Sequence, residues 1–255
     1  MGLFDWLFGK RTTAKSPGSA RGTVGASIDS QSPDLFNAIR SGEISRVKAL
    51  LPAKAVDKPL HTGITPLGLA VSSWTSAWED DRLRHKQLVE HLLRCGARPR
   101  YDAEGVPILY AALSGGWDTE HRAAVVEYLL ANGAEINAQH PKYKTTALHE
   151  AVKYSHLAAV DFLLASGANA DACDHYERTP FFVAVDVCCE AEELKLGRWS
   201  GSMPCDPETP RKVVQLLLAK AADRHARNKD GRNPLEEAQH RNCPETTALL
   251  AKAQA

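Results

Sequence analysis

Apolar residues recur in one arrangement at four places along the chain. At each place, here called a stripe, a valine is followed three and four residues later by two leucines. This spacing places the three side chains on one face of a helix, so we predict four helices that bury that face. The stripes are Val89, Leu92 and Leu93; Val126, Leu129 and Leu130; Val160, Leu163 and Leu164; and Val214, Leu217 and Leu218. Gly96, Gly133 and Gly167 follow three of the stripes as predicted left-handed helix ends.

A second pattern is a six-residue segment, here called a strip, that opens each repeating unit. The strip of the next unit begins 11 to 13 residues after the end of each of these helices. Most strips begin with Thr or Asn, which can cap a helix by accepting a hydrogen bond from a free N–H group. Each strip ends in an alanine, which allows close packing of helices. The strips are TPLGLA at 65–70, PILYAA at 107–112, TALHEA at 146–151, TPFFVA at 179–184 and NPLEEA at 233–238.

Together the two patterns define a repeat with a basic period of 33 residues. Insertions of 10, 5 and 21 residues separate the two helices of the first, second and fourth units. The repeat resembles that of the ankyrin-repeat family, and in particular a bacterial type that carries insertions between the paired helices. The resemblance covers residues 33–255 and implies an all-α solenoid of stacked helix pairs with short hairpin loops. Its expected parts are an N-terminal cap at 33–59, repeats at 60–101, 102–140, 141–173 and 174–227, and a C-terminal cap at 228–255.

Several positions depart from the ankyrin pattern. Pro107 replaces a capping threonine, and Ala221 replaces a glycine at a helix end. The family's characteristic histidine at the fourth position of the strip remains only as His149. The residues in its place are Gly68, Tyr110, Phe182 and Glu236. We therefore expect irregularity in the second and fifth units.

Residues 1–32 differ from the rest in composition. Residues 9–32 are rich in Gly, Ser, Thr and Ala, so they predict a flexible linker. Residues 1–9, MGLFDWLFG, could form two apolar turns that fray or fold back on the body. Alternatively, these turns dock on a membrane surface or a partner groove.

Charge and cysteine usage restrict the function classes. The chain has 31 Lys and Arg and 31 Asp and Glu, so it lacks the basic excess of a nucleic-acid binder. No stretch is long and apolar enough to predict a membrane span. The six cysteines form no dense disulfide framework, and we see no signal peptide. We expect a cytoplasmic protein with free thiols, and the opening residues are typical of bacterial proteins.

The family resemblance implies a concave surface, built from hairpin tips and first helices, that binds other proteins. We therefore expect a non-catalytic adaptor or inhibitor that binds a protein partner, with no nucleic acid and no cofactor. Tyrosine and arginine are common at interface hot spots, although tyrosines also stack on one another at half-exposed surfaces without a partner. The residues that map to this surface are Lys142, Tyr143, Lys153, Tyr154, His175, Tyr176, Arg178 and Asp186. The alternative is a membrane-tethered or secreted effector that residues 1–9 localise.

Every tryptophan outside the first 32 residues lies in or beside an insertion. They are Trp74, Trp78, Trp117 and Trp199. Because the insertions leave the stack at one corner, we expect these rings to be neighbours. They then form a local core over lengthened helices or a second binding edge.

Catalytic and metal motifs are missing from the sequence. It has no phosphate-binding loop, dinucleotide fingerprint, zinc-protease motif or serine-hydrolase elbow. His149 and Glu150 resemble half of a zinc-protease motif, but Lys153 occupies the second histidine position. Soft metal ligands gather around the fourth unit without a CxxC pair, so we expect neither a metal site nor an enzyme. These ligands are Cys173, His175, Cys188, Cys189 and Cys205.

Overall fold

The computed structural model describes residues 33–115, 119–195, 208–220 and 222–253. These ranges contain twelve α-helices in six successive pairs and no β-strand. The pairs are α1 (Pro33–Arg40) with α2 (Ile44–Leu50), α3 (Pro66–Ser76) with α4 (Glu79–Arg94), α5 (Ile108–Leu113) with α6 (Thr119–Ala131), α7 (Ala147–Lys153) with α8 (Leu157–Ala165), α9 (Pro180–Lys195) with α10 (Thr209–Ala219), and α11 (Pro234–His240) with α12 (Pro244–Lys252).

Each helix pair packs on the next, which gives a linear stack. The first helices of the pairs form one continuous layer, in the order α1, α3, α5, α7, α9 and α11. The second helices form the other layer, in which α6 packs on α8 and α8 packs on α10. The predicted all-α solenoid of helix pairs is therefore confirmed. The predicted tail, residues 1–32, lies outside the described residues, so its linker and docking roles stay predictions.

The core of the stack follows the predicted stripes and strips. In every stripe the valine and the first leucine are buried, while the second leucine is half-buried. The alanine that ends each strip is also buried, so the first helices pack closely as expected. Gly96, Gly133 and Gly167 each have a φ of +88°, which confirms the left-handed helix ends.

The caps of the first helices form largely as predicted. The Thr65 hydroxyl accepts a hydrogen bond from the N–H of Gly68 at 3.0 Å. The side chains of Asn233 and Glu236 satisfy each other's backbone N–H groups at the start of α11. Pro107 supplies no side-chain cap, and its helix, α5, has only six residues.

The insertions lengthen helices at one corner of the stack. Helices α3 and α4 have 11 and 16 residues, whereas α7 and α8 in the basic unit have 7 and 9. The ring of Trp74 is 4% exposed and lies edge-on to the rings of His121 and Tyr128 on α6. The first two insertions are therefore neighbours, and Trp74 belongs to a local core.

The local-core interpretation is wrong for Trp78. Its side chain is 85% exposed, because it precedes α4 at the outer corner instead of lying over a lengthened helix. Trp117 and Trp199 lie outside the described residues, so their place at this corner stays a prediction. Within the described part of the chain, no helix combines the length and the apolar composition that crossing a membrane requires.

Candidate partner-binding surface

The hairpin tips between helix pairs are joined by backbone hydrogen bonds. The N–H of His175 donates to the carbonyl of Tyr143 at 2.8 Å, and the N–H of Lys229 donates to the carbonyl of Tyr176 at 3.1 Å. The tips of the third, fourth and fifth units therefore form one row. Two of the predicted tyrosines lie on adjacent tips of that row.

The two tip tyrosines are exposed. The side chains of Tyr143 and Tyr176 are 44% and 56% exposed, so both rings are accessible to a partner. Tyr154 lies at the end of α7, where it is half-buried and stacks on His156 with 6.0 Å between centroids. We use the name tyrosine surface for these three tyrosines and the predicted residues around them: Lys142, Lys153, His175, Arg178 and Asp186.

Tyr110 lies between Tyr143 at the hairpin tip and Tyr154 at the end of α7, although it was not among the residues predicted for this surface. Its ring lies 5.1 Å from that of His140, which in turn lies 4.7 Å from that of Tyr143. Burial raises the pKa of Tyr110, and nearby Glu150, Tyr154 and Tyr143 raise it further. Tyr143 and Tyr154 are therefore both close to Tyr110, and the predicted tyrosines share one side of the stack.

The side chain of Arg178 is held in place by the buried carboxylate of Asp174. Its Nε and Nη2 donate to Oδ2 of Asp174 at 3.0 and 2.8 Å, and Asp174 is buried. Oδ1 of Asp174 accepts the backbone N–H groups of Tyr176 and Arg178, so the same carboxylate shapes the tip. The guanidinium carbon lies 5.0 Å from the centroid of Tyr176. Arg178 therefore supports the exposed tyrosine as well as presenting charge.

Asp186 lies between two arginines. Its carboxylate accepts from Arg178 at 3.0 Å and lies 3.6 Å from Arg241, which also pairs with Glu193 at 2.9 Å. Burial raises the pKa of Asp186 to about 6, although both arginines act to lower it. Asp186 is thus part of an internal ion-pair chain. The sequence reasoning missed Arg241 and Glu193, because their contact depends on the lengthened α9.

Glu150 is a buried carboxyl group beneath the tyrosine surface. It lies on α7, is 2% exposed and accepts a hydrogen bond from the Tyr110 hydroxyl. Its Oε2 is buried without a hydrogen-bond partner among the described residues. Burial raises the pKa of Glu150. The neighbouring His149 instead joins units, because its Nδ1 accepts the Thr146 N–H and its Nε2 donates to the Arg178 carbonyl at 3.1 Å.

Two tips of the row carry unusual backbone conformations. Lys144 and Glu177 have φ values of +54° and +60°, in the left-handed region. The equivalent positions in three other units are glycines, Gly63, Gly105 and Gly231. A side chain in this region is strained by roughly 1–2 kcal/mol. The strained tips are the two that bear Tyr143 and Tyr176.

Among the described residues, no group of three or more His, Cys, Asp or Glu side chains could hold a metal ion. Two cavities have volumes of about 10 Å³ each, room for about one water molecule, and neither borders the tyrosine surface. Cys205, one of the soft ligands considered above, lies outside the described residues.

Comparison with known proteins agrees with the stack. A family model of ankyrin repeats, three copies long, matches residues 76–174 and 109–191. An ankyrin repeat domain from Acinetobacter baumannii aligns with a TM-score of 0.63 over 87% of this chain and 97% of that one, at 23% identity. This chain therefore contains ankyrin repeats, which the family model places within residues 76–191.

Other relatives of this ankyrin-repeat protein come from distant sources. The Drosophila melanogaster neurogenic locus Notch protein is 37% identical over 154 residues, which is 55% of this chain but only 5% of that protein. A structure of a predatory endopeptidase from Bdellovibrio bacteriovorus in complex with an immunity protein aligns with a TM-score of 0.61 at 20% identity. That alignment covers 87% of this chain and 98% of the matched chain. Ankyrin repeats are protein-interaction modules.

Proposed function

We propose that this ankyrin-repeat protein is a non-catalytic adaptor or inhibitor that binds a partner protein on the tyrosine surface. The observation that carries the proposal is the pair of exposed rings, Tyr143 and Tyr176, on hydrogen-bonded neighbouring tips. Large rigid rings bury much area at a small entropic cost when a partner covers them. Arg178, which buried Asp174 fixes beneath Tyr176, adds a preorganised polar anchor.

The strain at Lys144 and Glu177 supports the same surface. Strained backbone persists where surrounding structure imposes it, and it concentrates at binding and catalytic sites. Glycine relieves that strain at the other tips at no steric cost. Charged side chains at the two tyrosine-bearing tips therefore favour a function that needs them there.

A partner-bound neighbour, the cysteines and the bacterial neighbours support protein binding, a cytoplasmic location and a bacterial source, in that order. The endopeptidase and immunity protein form a complex, so binding to a protein has a precedent among structures with this fold. Among the described residues, Cys95, Cys173, Cys188, Cys189 and Cys243 are free thiols, which favours a reducing cytoplasm. A bacterial source is supported by the bacterial neighbours, whereas the Notch relatives are animal proteins.

Affinity capture with matched variants tests the proposal. The full chain is used as bait in a lysate of the source organism, beside a Tyr143→Ala/Tyr176→Ala variant and a Trp78→Ala/Leu83→Ala control. Both variants remove two exposed apolar side chains, but Trp78 and Leu83 lie at the insertion corner. We expect the tyrosine variant to lose the captured protein, and the control to retain it.

The control also tests the second binding edge. Capture lost only in the Trp78→Ala/Leu83→Ala variant assigns the partner to the insertion corner and overturns the tyrosine surface. Capture that neither variant changes, with far-UV circular dichroism unchanged, removes both surfaces.

A further inference from the structure

Two buried thiols meet where the last helix pair packs on the fourth unit. Cys189 lies on α9 and is fully buried, and Cys243 immediately precedes α12 and is 1% exposed. The Sγ atom of Cys243 lies 3.9 Å from the carbonyl oxygen of Cys189, and the two thiol groups share a hydrogen bond. Residues 190–242 lie between them in the sequence, so the packing of α12 on α9 brings the two sulfur atoms together.

The other cysteines that the structure describes have different surroundings. Cys188 precedes Cys189, but successive residues of a helix point about 100° apart. The Sγ atom of Cys188 accordingly accepts a hydrogen bond from the Thr246 hydroxyl at 3.5 Å. Cys95 and Cys173 belong to the first and third units. Among the described cysteines, contact between thiols of two helices is therefore specific to the pair above.

Burial protects these two thiols as long as the stack is closed. It raises the pKa of both, and a protonated thiol does not attack a disulfide. Helices α11 and α12 pack on α9 and on each other, and residues 222–253 end the described stack on this side. The end of a repeat stack opens at a lower free-energy cost than its middle. Transient separation of α11 and α12 from α9 therefore exposes both thiols together and lets them ionise.

We infer that Cys189 and Cys243 are a reversible oxidation site, at which a low-molecular-weight disulfide such as glutathione disulfide joins the two thiols. In the open form the Cys243 thiolate attacks one sulfur of glutathione disulfide, and one glutathione leaves as its thiolate. The Cys189 thiolate then attacks the Cys243 sulfur, which forms the bond between the two cysteines and releases the second glutathione. The protein thiols lose two protons and two electrons, and glutathione disulfide takes them up to give two glutathione thiols. This inference does not depend on the tyrosine surface.

The disulfide fixes the last helix pair to the rest of the stack. It joins α9 covalently to the start of α12, so the pair no longer separates from the fourth unit. The Arg241 guanidinium, which lies beside Asp186 and pairs with Glu193 at 2.9 Å, is then held against α9 as well. Oxidation at this site thus stabilises the end of the stack against local opening.

Peptide mapping of the full chain tests the inference. The reduced protein is incubated with glutathione disulfide under native conditions, the remaining thiols are blocked, and tryptic peptides are analysed by mass spectrometry without reduction. Cleavage after lysine and arginine places Cys188 and Cys189 in peptide 179–195 and Cys243 in peptide 242–252. We expect these two peptides to be linked in the wild type, with fragment ions that locate the bond at Cys189.

Two serine variants provide a matched comparison. Cys188→Ser and Cys189→Ser each remove one buried thiol from the same turn of α9. We expect the linked peptides at the wild-type yield in Cys188→Ser and their loss in Cys189→Ser. The fragment ions of the wild type answer the same question without a variant, so the test holds even where a variant is unfolded.

The rate of oxidation tests the opening of the last helix pair. Glu192 accepts the N–H groups of Glu245 and Thr246 at the start of α12, so Glu192→Ala loosens that helix. We expect the disulfide to form about five- to thirtyfold faster in this variant, because its open population is larger. In the oxidised wild type we expect amide hydrogen exchange in α12 to slow by about tenfold and exchange in α1 to stay unchanged.

Four mapping results overturn the inference: no disulfide under native conditions, a bond to Cys188 or Cys205, a bond between two chains, or a glutathione adduct that persists on Cys243. Oxidation of Glu192→Ala at the wild-type rate overturns the opening step. Unchanged exchange in α12 after oxidation overturns the stabilisation of the last helix pair. Partner capture tests the tyrosine surface separately, so the two proposals fail independently.

Discussion

The strained tips allow a prediction about stability and binding together. Replacing Lys144 and Glu177 by glycine leaves the tip hydrogen bonds in place, because the backbone N–H groups still reach the carbonyls of His140 and Asp174. The change removes two side chains from the left-handed region. We expect the Lys144→Gly/Glu177→Gly variant to be more stable than the wild type and to bind the partner more weakly.

The expected magnitude follows from two opposing effects. Relief of left-handed strain contributes roughly 1–2 kcal/mol per position. The greater freedom of glycine in the unfolded chain costs roughly 0.5–1 kcal/mol per position. The net gain is about 0.5–1 kcal/mol at each tip, which corresponds to a rise in Tm of about 2–4 °C per kcal/mol for a chain of this size.

The chain supplies its own calibration of the strain. A Cβ added at Gly63 or Gly105 meets no heavy atom within 4 Å, so an alanine there introduces backbone strain alone. We expect Gly105→Ala to lose about 1 kcal/mol of unfolding free energy in urea. Lys144→Ala is the second control: it removes the side chain but keeps the strain, so it gains no stability.

Equilibrium urea unfolding of the full chain, followed by far-UV circular dichroism, measures all four proteins. The reasoning is refuted if Gly105→Ala loses stability but the double glycine variant gains none. That result means that contacts of Lys144 and Glu177 already offset their strain. A gain in stability with unchanged partner capture separates strain from function and weakens the proposed surface.

Three further predictions concern single side chains. A Cβ at Gly68 lies 2.2 Å from the carbonyl oxygen of Tyr101, so Gly68→Ala loses about 1–3 kcal/mol in urea unfolding; a loss no larger than that of a tip glycine contradicts this. Because burial raises the pKa of Glu150, the folded chain binds that proton more tightly than the unfolded chain, and stability falls as pH rises from the unfolded pKa through the folded pKa. Glu150→Gln removes this loss, so the stability of the variant rises relative to that of the wild type as pH rises. Unfolding curves of both proteins at several pH values measure this difference in stability, and a difference that does not change with pH contradicts the prediction. The Glu192 carboxylate accepts hydrogen bonds from two backbone N–H groups at the start of α12 and from the Thr246 hydroxyl, so we expect Glu192→Ala to lose about 1–2 kcal/mol of unfolding free energy. Amide hydrogen exchange in this variant should speed up in α12 but not in α1. Unchanged exchange in α12 contradicts the role of Glu192 as a helix cap.

The fold was predictable because packing and backbone geometry determine the repeating positions. The valine and first leucine of each stripe and the alanine of each strip are buried, so their identities are restricted wherever the pattern occurs. The departures have local causes that a single sequence does not reveal. Gly68, for example, stands where the family has histidine because the carbonyl and ring of Tyr101 occupy the space of a side chain.

The tyrosine surface was only partly predictable. Register alone placed Tyr143, Tyr154 and Tyr176 on one side of the stack. Asp174 was missed because its role comes from the tip turn, which its carboxylate stabilises through backbone N–H groups. Tyr110 was noted as a departure from the family pattern, but its position between tyrosines depends on packing across two units.

The location of the strained and buried polar groups follows from the way a repeat stack is stabilised. Each unit contacts only its neighbours, so stability is close to a sum of unit and interface contributions. The third and fourth units each have a neighbour on both sides, and packed interfaces join α5 to α7, α7 to α9 and α9 to α11. Central units have two interfaces to offset the strain of Lys144 and Glu177 and the buried carboxyl of Glu150. In the last unit the left-handed residue is Asn242, with a φ of +54°, and asparagine adopts this region at a lower cost than lysine or glutamate. A binding surface that needs destabilising residues is for this reason best placed in the middle of the stack.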